Sequence, residues 1–285
     1  MSIIKTRTAP EAWFEAARFL RRDCHDNETF DLFIQIAEPT VLSAADRAVY
    51  NEVDAFLTSA GGLSLDTVAE TIFPNADYIR GGRKAVFETY PERMKTIHEA
   101  HPDRQWGCYA MRILRQTDLR DEEFNPLKDL LKKVESRKYK ACYELGNGRP
   151  FRETEPDGSA PGGDIPIYDP ATDRKVYRGH LPCLSHVSIK YDKRHDQVRL
   201  NATYRAHHYM QRALGNFVGL GRLLYFIAHE AGAGVGPLTI NATYAKLDAG
   251  GDGRGESNWG YRDIDALLER CESLYENETR ELSYV

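Results

Sequence analysis

The chain is poor in several things at once, and each shortage excludes a class of protein. Its 285 residues hold five cysteines (Cys24, Cys108, Cys142, Cys183 and Cys271), an odd number at scattered spacings with no CxxC pair. That pattern signals neither a zinc site nor a disulfide framework, so no metal is expected. No run approaches the ~20 apolar residues of a membrane span. The opening MSIIKTRTAPEAWFEAARFL lacks the unbroken apolar core of a secretory signal. Basic residues are not in excess: 38 Lys and Arg stand against 43 Asp and Glu, a net charge of -5. A broad nucleic-acid surface needs the opposite balance, although a small phosphorylated ligand needs only a few local arginines. Internal repeats, low-complexity tracts and a clear interdomain linker are also lacking. Together these absences lead to the expectation of a reducing cytoplasm, where a cysteine is free to act as a thiolate, with neither membrane nor nucleic acid as partner.

What is present is ordinary globular material. Apolar residues make up 41% and charged residues 28%, a balance that can bury a substantial core. Helical apolar spacing marks residues 10–22, 44–58, PERMKTIHEAH, and NPLKDLLKKVESR with Leu127, Leu130, Leu131 and Val134 on one face. LDTVAETIFP reads as a short buried helix stopped by Pro74. Beyond residue 137 the texture turns to strands: KYKACYEL, SHVSIKYD, QVRLNATYRA and LTINATYAKLD are β-branched and aromatic. NFVGLGRLLYFIAHEAG is the most apolar helix, with Gly232 as its stop, and YRDIDALLERCESLYE reads as a surface helix. A Gly-, Pro- and Asp-rich insertion loop is expected at about 147–179. The expectation is one mixed α/β (α+β) sandwich domain over residues 1–285.

Cys183 is the first candidate for chemistry, because Pro182 just before a strand would hold its thiol at the strand's entrance. A nucleophilic cysteine needs exposure and a neighbouring cation, whereas most cysteines beside strands are simply buried core. His207 and His208 fit no zinc spacing and would face opposite sides of a strand. GNFVGLG lies inside a helical pattern, which is not where a phosphate-cradling turn sits. Arg205, Arg212, Arg137 and Lys138 are either solvated surface charges or a phosphate clamp.

Read in order, several segments resemble the thymidylate synthases and the related pyrimidine nucleotide hydroxymethylases. LPCLSHVSIKY resembles the family's Pro-Cys strand, with Leu184 where a histidine usually follows the cysteine. Arg205-Ala206-His207-His208 stands where the family has Arg-Ser-x-Asp, and Ala213-Leu214-Gly215-Asn216-Phe217 where it has Gly-x-Pro-Phe-Asn, with the same spacing from Arg to Asn. NATYAKLD sits at the family's His-x-Tyr, keeping Tyr244 but placing Ala242 at the histidine. Upstream, ESRKYKACYEL resembles the Ser-Arg-Arg segment that crosses a dimer, WGCYAMR a segment that places Tyr109 near the base, and AETIFP a helix bearing a glutamate, here Glu70. The resemblance runs from about residue 65 to 250.

It implies a thymidylate synthase-like mixed sheet with packed helices, a homodimer with shared active sites, and one-carbon transfer to C5 of a pyrimidine nucleoside monophosphate. The implied donor is 5,10-methylenetetrahydrofolate. By resemblance Cys183, Glu70, Tyr109 and Asn216 are catalytic. Arg205, Ala206, His208 and Tyr244, with the partner-directed Arg137 and Lys138, bind substrate. The departures at Ala206, Lys138, Ala242 and His208 point away from housekeeping thymidylate synthesis and toward a hydroxymethylase, with a ribonucleotide admitted where Ala206 vacates space. A true thymidylate synthase and an idle nucleotide-binding relative are the competing readings.

Overall fold

The structure is a computed structural model that describes residues 2–100, 108–117, 122–136, 164–166, 182–250 and 258–283. By internal contacts the chain divides into two units. Unit 1 comprises Met1–Ala69, Arg205–Gly221 and Pro237–Val285; unit 2 comprises Glu70–Tyr204 and Arg222–Gly236.

Unit 1 opens with strand β1 (Ser2–Thr6), helix α1 (Ala9–Arg22) and strand β2 (Glu28–Ile36), which runs parallel to β1. The start of α1 follows from its sequence. Thr8 accepts from the Glu11 amide while the Glu11 carboxylate accepts from the Thr8 amide, a reciprocal cap reinforced by Pro10 in the first turn. Helix α2 (Ala44–Ser59) begins with the same device, built from Ser43 and Asp46. Helix α3 (Leu65–Glu70) closes this stretch.

Unit 2 begins with α4 (Asn75–Lys84), a π-helical turn (Ala85–Thr89), α5 (Tyr90–Ala100) and α6 (Tyr109–Leu114). Two-residue strands β3 (Gln116–Thr117) and β4 (Glu123–Phe124) pair before α7 (Pro126–Ser136). Strands β5 (Asp164–Pro166), β6 (Leu184–Asp192) and β7 (Gln197–Tyr204) then form an antiparallel array in the order β5-β6-β7.

The remaining elements are β8 (His207–His208), a second π-helical turn (Tyr209–Ala213), α8 (Leu214–Glu230), β9 (Gly234–Lys246) and α9 (Tyr261–Ser283). In unit 1, β9 pairs antiparallel with β2 and parallel with β8. Helix α1 packs on β1 and β2, and α9 packs on α2. Leu32, Ile34 and Ile36 alternate with more accessible residues along β2, and Leu238, Ile240 and Ala242 do so along β9, so one face of the sheet is buried. The chain thus adopts the expected mixed α/β class, a sheet with both parallel and antiparallel pairs and helices packed against it.

Three expectations about elements need correction. The helix in LDTVAETIFP ends at Glu70, and Pro74 instead precedes the first turn of α4, where its missing N–H costs nothing. QVRLNATYRA leaves the strand after Tyr204, because the chain has to turn into β8 and the π-helical stretch. Within the expected loop at 147–179 the three described residues are a strand, β5, hydrogen-bonded to β6. The KYKACYEL strand and the rest of that loop lie outside the described residues. Passages between the units fall at the ends of α3 and β7 and within α8 and β9, which is why no linker composition marks them.

Candidate functional site

In unit 2 the described site is built around the mouth of β6. Pro182 is buried and Cys183, half-buried, stands one residue before the strand. Tyr109, the first residue of α6, reaches this point with its side chain. Its hydroxyl oxygen accepts from the Cys183 amide at 2.9 Å and from the Leu184 amide at 3.3 Å. A strand's first amides are left over when its ladder has not yet begun, and burying them unmade would cost about 1–3 kcal/mol each. One phenol oxygen satisfies both. Immediately beyond, the pairing of β6 with β7 slips between Leu184 and His186, and Ser185 bridges the irregularity by donating to the Thr203 carbonyl at 2.9 Å. Bulges of this kind re-aim neighbouring side chains and gather next to sites.

Behind Tyr109 the hydrogen bonds continue. The Ala110 amide donates to the Thr71 carbonyl at 2.8 Å, which ties the start of α6 to the residue after Glu70. The Glu70 carboxylate accepts from the Ala76 amide at 3.1 Å and faces Arg222 at 3.4 Å. Cys108 shares a hydrogen bond with the buried Tyr90 hydroxyl at 3.4 Å. Burial above all, then the Cys108 thiol, pushes the Tyr90 phenol well up from its ordinary value. Arg93 lies over the Tyr90 ring and grips Asp77 with two bonds of 2.8 and 2.7 Å. Tyr109 and Cys183 are therefore joined directly by a hydrogen bond, while Glu70 is tied to α6 only through the backbone of its neighbour Thr71, its carboxylate being engaged by Ala76 and Arg222.

Unit 1 carries the second group. Arg205 is exposed, and its carbonyl accepts from Thr243 at 3.0 Å; Ala206 is half-buried. His207 and His208 do face opposite ways, the first buried and the second half-buried. His207 Nε2 lies 3.1 Å from Asn216 Nδ2, and the imidazole is enclosed by Tyr209 and Phe217, with ring centroids at 5.2 and 5.7 Å. Complete burial, with a smaller contribution from His208, pushes the His207 pKa down to about 3, so the ring is neutral at physiological pH. A neutral imidazole keeps one bare nitrogen and one N–H, and the tautomer sets which of them faces the Asn216 amide. The π-helical turn between His207 and Asn216 makes the pairing possible, and Trp13 steadies it by donating to the Tyr209 carbonyl at 2.7 Å. Gly215 beside Asn216 is required by space: a Cβ there would lie 2.6 Å from the Cβ of Val68.

Beneath the π-helical turn lies Asp248, 5% exposed, whose Oδ1 accepts from the Met210 amide at 2.9 Å. Burial pushes its carboxyl up, opposed in part by the field of His208. Tyr244 donates to Glu28 at 2.6 Å and packs against Phe30; burial first, then Glu28, pushes its phenol up to about 12. Any ligand contact through that hydroxyl has to share it with Glu28. Arg137 and Lys138 lie outside the described residues. A groove of about 640 Å³ in unit 1, lined by Arg7, Glu15, Arg18, Asp46 and Tyr275 among others, contains none of the residues singled out from the sequence.

Asp248, Tyr90 and Arg222 are parts of these clusters that were not legible as such, since their partners stand far away in the chain. Among the described residues no helix is long and apolar enough to cross a membrane. Compared with protein-family models and with curated proteins, the sequence matches none.

Proposed function

We propose that the protein transfers a one-carbon unit to C5 of a pyrimidine nucleoside monophosphate, with Cys183 as nucleophile, and that hydroxymethylation is the outcome. The observation that carries this reading is the Tyr109 clamp. It fixes the backbone of Cys183 and Leu184 beside a bulge while leaving Cys183 only half-buried, which gives a nucleophile the positioning and the access it needs.

The chemistry follows from the substrate. C5 of a pyrimidine is a weak nucleophile until the Cys183 thiolate adds to C6, which pushes an electron pair toward C5 as an enolate. The enolate would then bond to the carbon supplied by the donor; loss of the C5 proton to a base, with cleavage of that carbon's bond to the donor nitrogen, would leave an exocyclic methylene at C5, and water would add to it before expulsion of the thiolate restores the ring. Glu70, catalytic by resemblance and engaged by the Ala76 amide and Arg222, is the carboxylate assigned to move that proton. Arg205, exposed in unit 1, is suited to the phosphate. 5,10-Methylenetetrahydrofolate would supply the carbon. His208, half-buried in the field of Asp248, is suited to a contact with the substrate.

Incubation with UMP, dUMP, CMP or dCMP plus methylenetetrahydrofolate, followed by mass spectrometry, tests the reading. A hydroxymethyl gain on one nucleotide is expected. A methyl gain on dUMP would make the protein a true thymidylate synthase, binding without turnover an idle relative, and no binding at all would end the proposal. The shared-site homodimer is tested by mixing inactive Cys183→Ser and Arg137→Ala chains: partial recovery is expected, and verified heterodimers without recovery would refute it. A reducing, cytoplasmic setting, in which a thiolate persists, is part of the proposal.

A further inference from the structure

In unit 1 the start of β2 and the end of β9 carry side chains that the core does not cover. The pairing sets Glu28 opposite Lys246 and Phe30 opposite Tyr244. Contacts put all four on one face: the Tyr244 hydroxyl donates to Glu28 Oε2 at 2.6 Å, and Lys246 Nζ stands 3.4 Å from the same oxygen. The Phe30 and Tyr244 rings lie 5.6 Å apart between centroids. This face is open: Phe30 is 69% exposed, and the Glu28 and Lys246 side chains are 34% and 38% exposed. Asp31, with φ at 55°, interrupts the extended strand between Phe30 and the buried Leu32, which is where β2 leaves the core. Next to Tyr244, Thr243 donates to the carbonyl of Arg205, the exposed residue suited to a phosphate.

We propose that Glu28 is a specificity-determining residue whose carboxylate accepts from the adjacent 2′- and 3′-hydroxyls of a ribose, so that the substrate is a pyrimidine ribonucleoside monophosphate. An ionised carboxylate has about four lone-pair sites. Tyr244 and Lys246 both approach Oε2, and among the described residues Oε1 makes neither a hydrogen bond nor an ion pair. Tyr244 above all, helped by Lys246 against partial desolvation, holds the Glu28 carboxyl below its ordinary range, so at neutral pH the group only accepts. The two neighbouring hydroxyls of a ribose are two donors on one side of a ring, and bonds to an ionised acceptor are the strong ones. A deoxyribose brings one donor. Phe30 supplies an apolar plate for the C–H side of the sugar, which accounts for a large exposed ring beside a carboxylate. The Tyr244 hydroxyl, already donated to Glu28, positions the carboxylate. Glu28 and Phe30 lie outside the stretch from about residue 65 to 250 that carries the family resemblance, so their role comes from the geometry of this ledge.

The inference rests on the nucleotide reading proposed above, and its test separates the two. Calorimetric titration of the full chain with UMP, dUMP, CMP and dCMP gives the ribo-to-deoxy affinity ratio for the wild type, Glu28→Gln and Phe30→Ala. Both side chains stand at the surface, and thermal unfolding checks that each variant is folded. The wild type is expected to bind its preferred ribonucleotide about tenfold more tightly than the matching deoxynucleotide, the strength of one hydrogen bond to a charged group. Glutamine keeps the length of the side chain but removes the charge and replaces one acceptor by a donor. In Glu28→Gln the ratio should fall to near unity, with deoxynucleotide affinity changed by no more than about threefold. Phe30→Ala should weaken ribo- and deoxynucleotide alike and leave the ratio standing. A wild type without a ribonucleotide preference, or an unchanged ratio in a folded Glu28→Gln, would overturn the role of Glu28 alone and leave the one-carbon reading intact. A wild type that binds none of the four nucleotides would overturn the nucleotide reading, and the sugar-reading role with it.

Discussion

The surroundings of Cys183 and of Asn216 are built on opposite plans. Cys183 is half-buried at a strand mouth, where its amide is held by the Tyr109 hydroxyl beside a bulged strand. Asn216 is buried and hydrogen-bonded to His207, whose neutral imidazole lies against Tyr209 and Phe217. A group that must be reached and must change its bonding needs exposure and a polar frame. A group that must only hold its place needs rigidity, and dry packing supplies that at low cost when each polar atom finds a partner.

The harshest way to break the comparison is to remove the thiol. Cys183→Ser should lower turnover by about 10³-fold or more while nucleotide affinity stays within a few-fold, whereas serine at Cys24, Cys108, Cys142 or Cys271 should be tolerated. Near-normal turnover in Cys183→Ser would remove the basis for calling this region reactive. Tyr109→Phe comes next. It leaves two amides at the strand mouth without their acceptor, and turnover should fall roughly 10- to 100-fold with little change in KM, matching about 1–3 kcal/mol of lost positioning. Alkylation of Cys183 by iodoacetamide, followed as a function of pH, should become less selective over the other thiols; an unaltered rate and unaltered turnover would show that the clamp is ornamental.

Rigidity on the Asn216 side is probed by overfilling. Gly215→Ala would force a methyl group against Val68 and should cost about 1–3 kcal/mol of stability, read from the midpoint of urea unfolding. A neutral result would mean that this packing yields easily and is no rigid frame. The gentlest probe is pH. The His207 pKa lies near 3 in the folded chain against an ordinary 6.5, so the unfolded chain binds the extra proton as pH falls. The stability contributed by keeping this ring neutral is fully present above about 6.5 and is lost progressively as pH drops toward 3. His207→Phe should therefore show a flatter decline of Tm across that window than the wild type, by several degrees. Parallel curves would mean that the imidazole titrates normally and is not sealed.

What could be read without coordinates was whatever a few neighbouring residues decide. Helical apolar spacing over 10–22 and 44–58 marked α1 and α2, and apolar periodicity gave α7, α8 and most of β6, β7 and β9. The position of Cys183 at a strand mouth was equally local, since Pro182 and the strand pattern adjoin it. The π-helical turn before α8 was not legible, because Tyr209–Ala213 carries no spacing that separates it from an ordinary turn; tertiary contacts such as Trp13 to the Tyr209 carbonyl hold it. The partnership of Tyr109 with Cys183 crosses 74 positions, and that of Asp248 with Met210 crosses 38. His207 and Asn216 are only nine apart, yet they meet because β8 is anchored on β9 and aromatic rings close around the pair. Sequence alone therefore determined the helices, the strands and the residue types able to do chemistry. Which side chain satisfies which buried donor was decided only by the folded chain, because such pairings come from loop closure and packing, for which local propensity has no code.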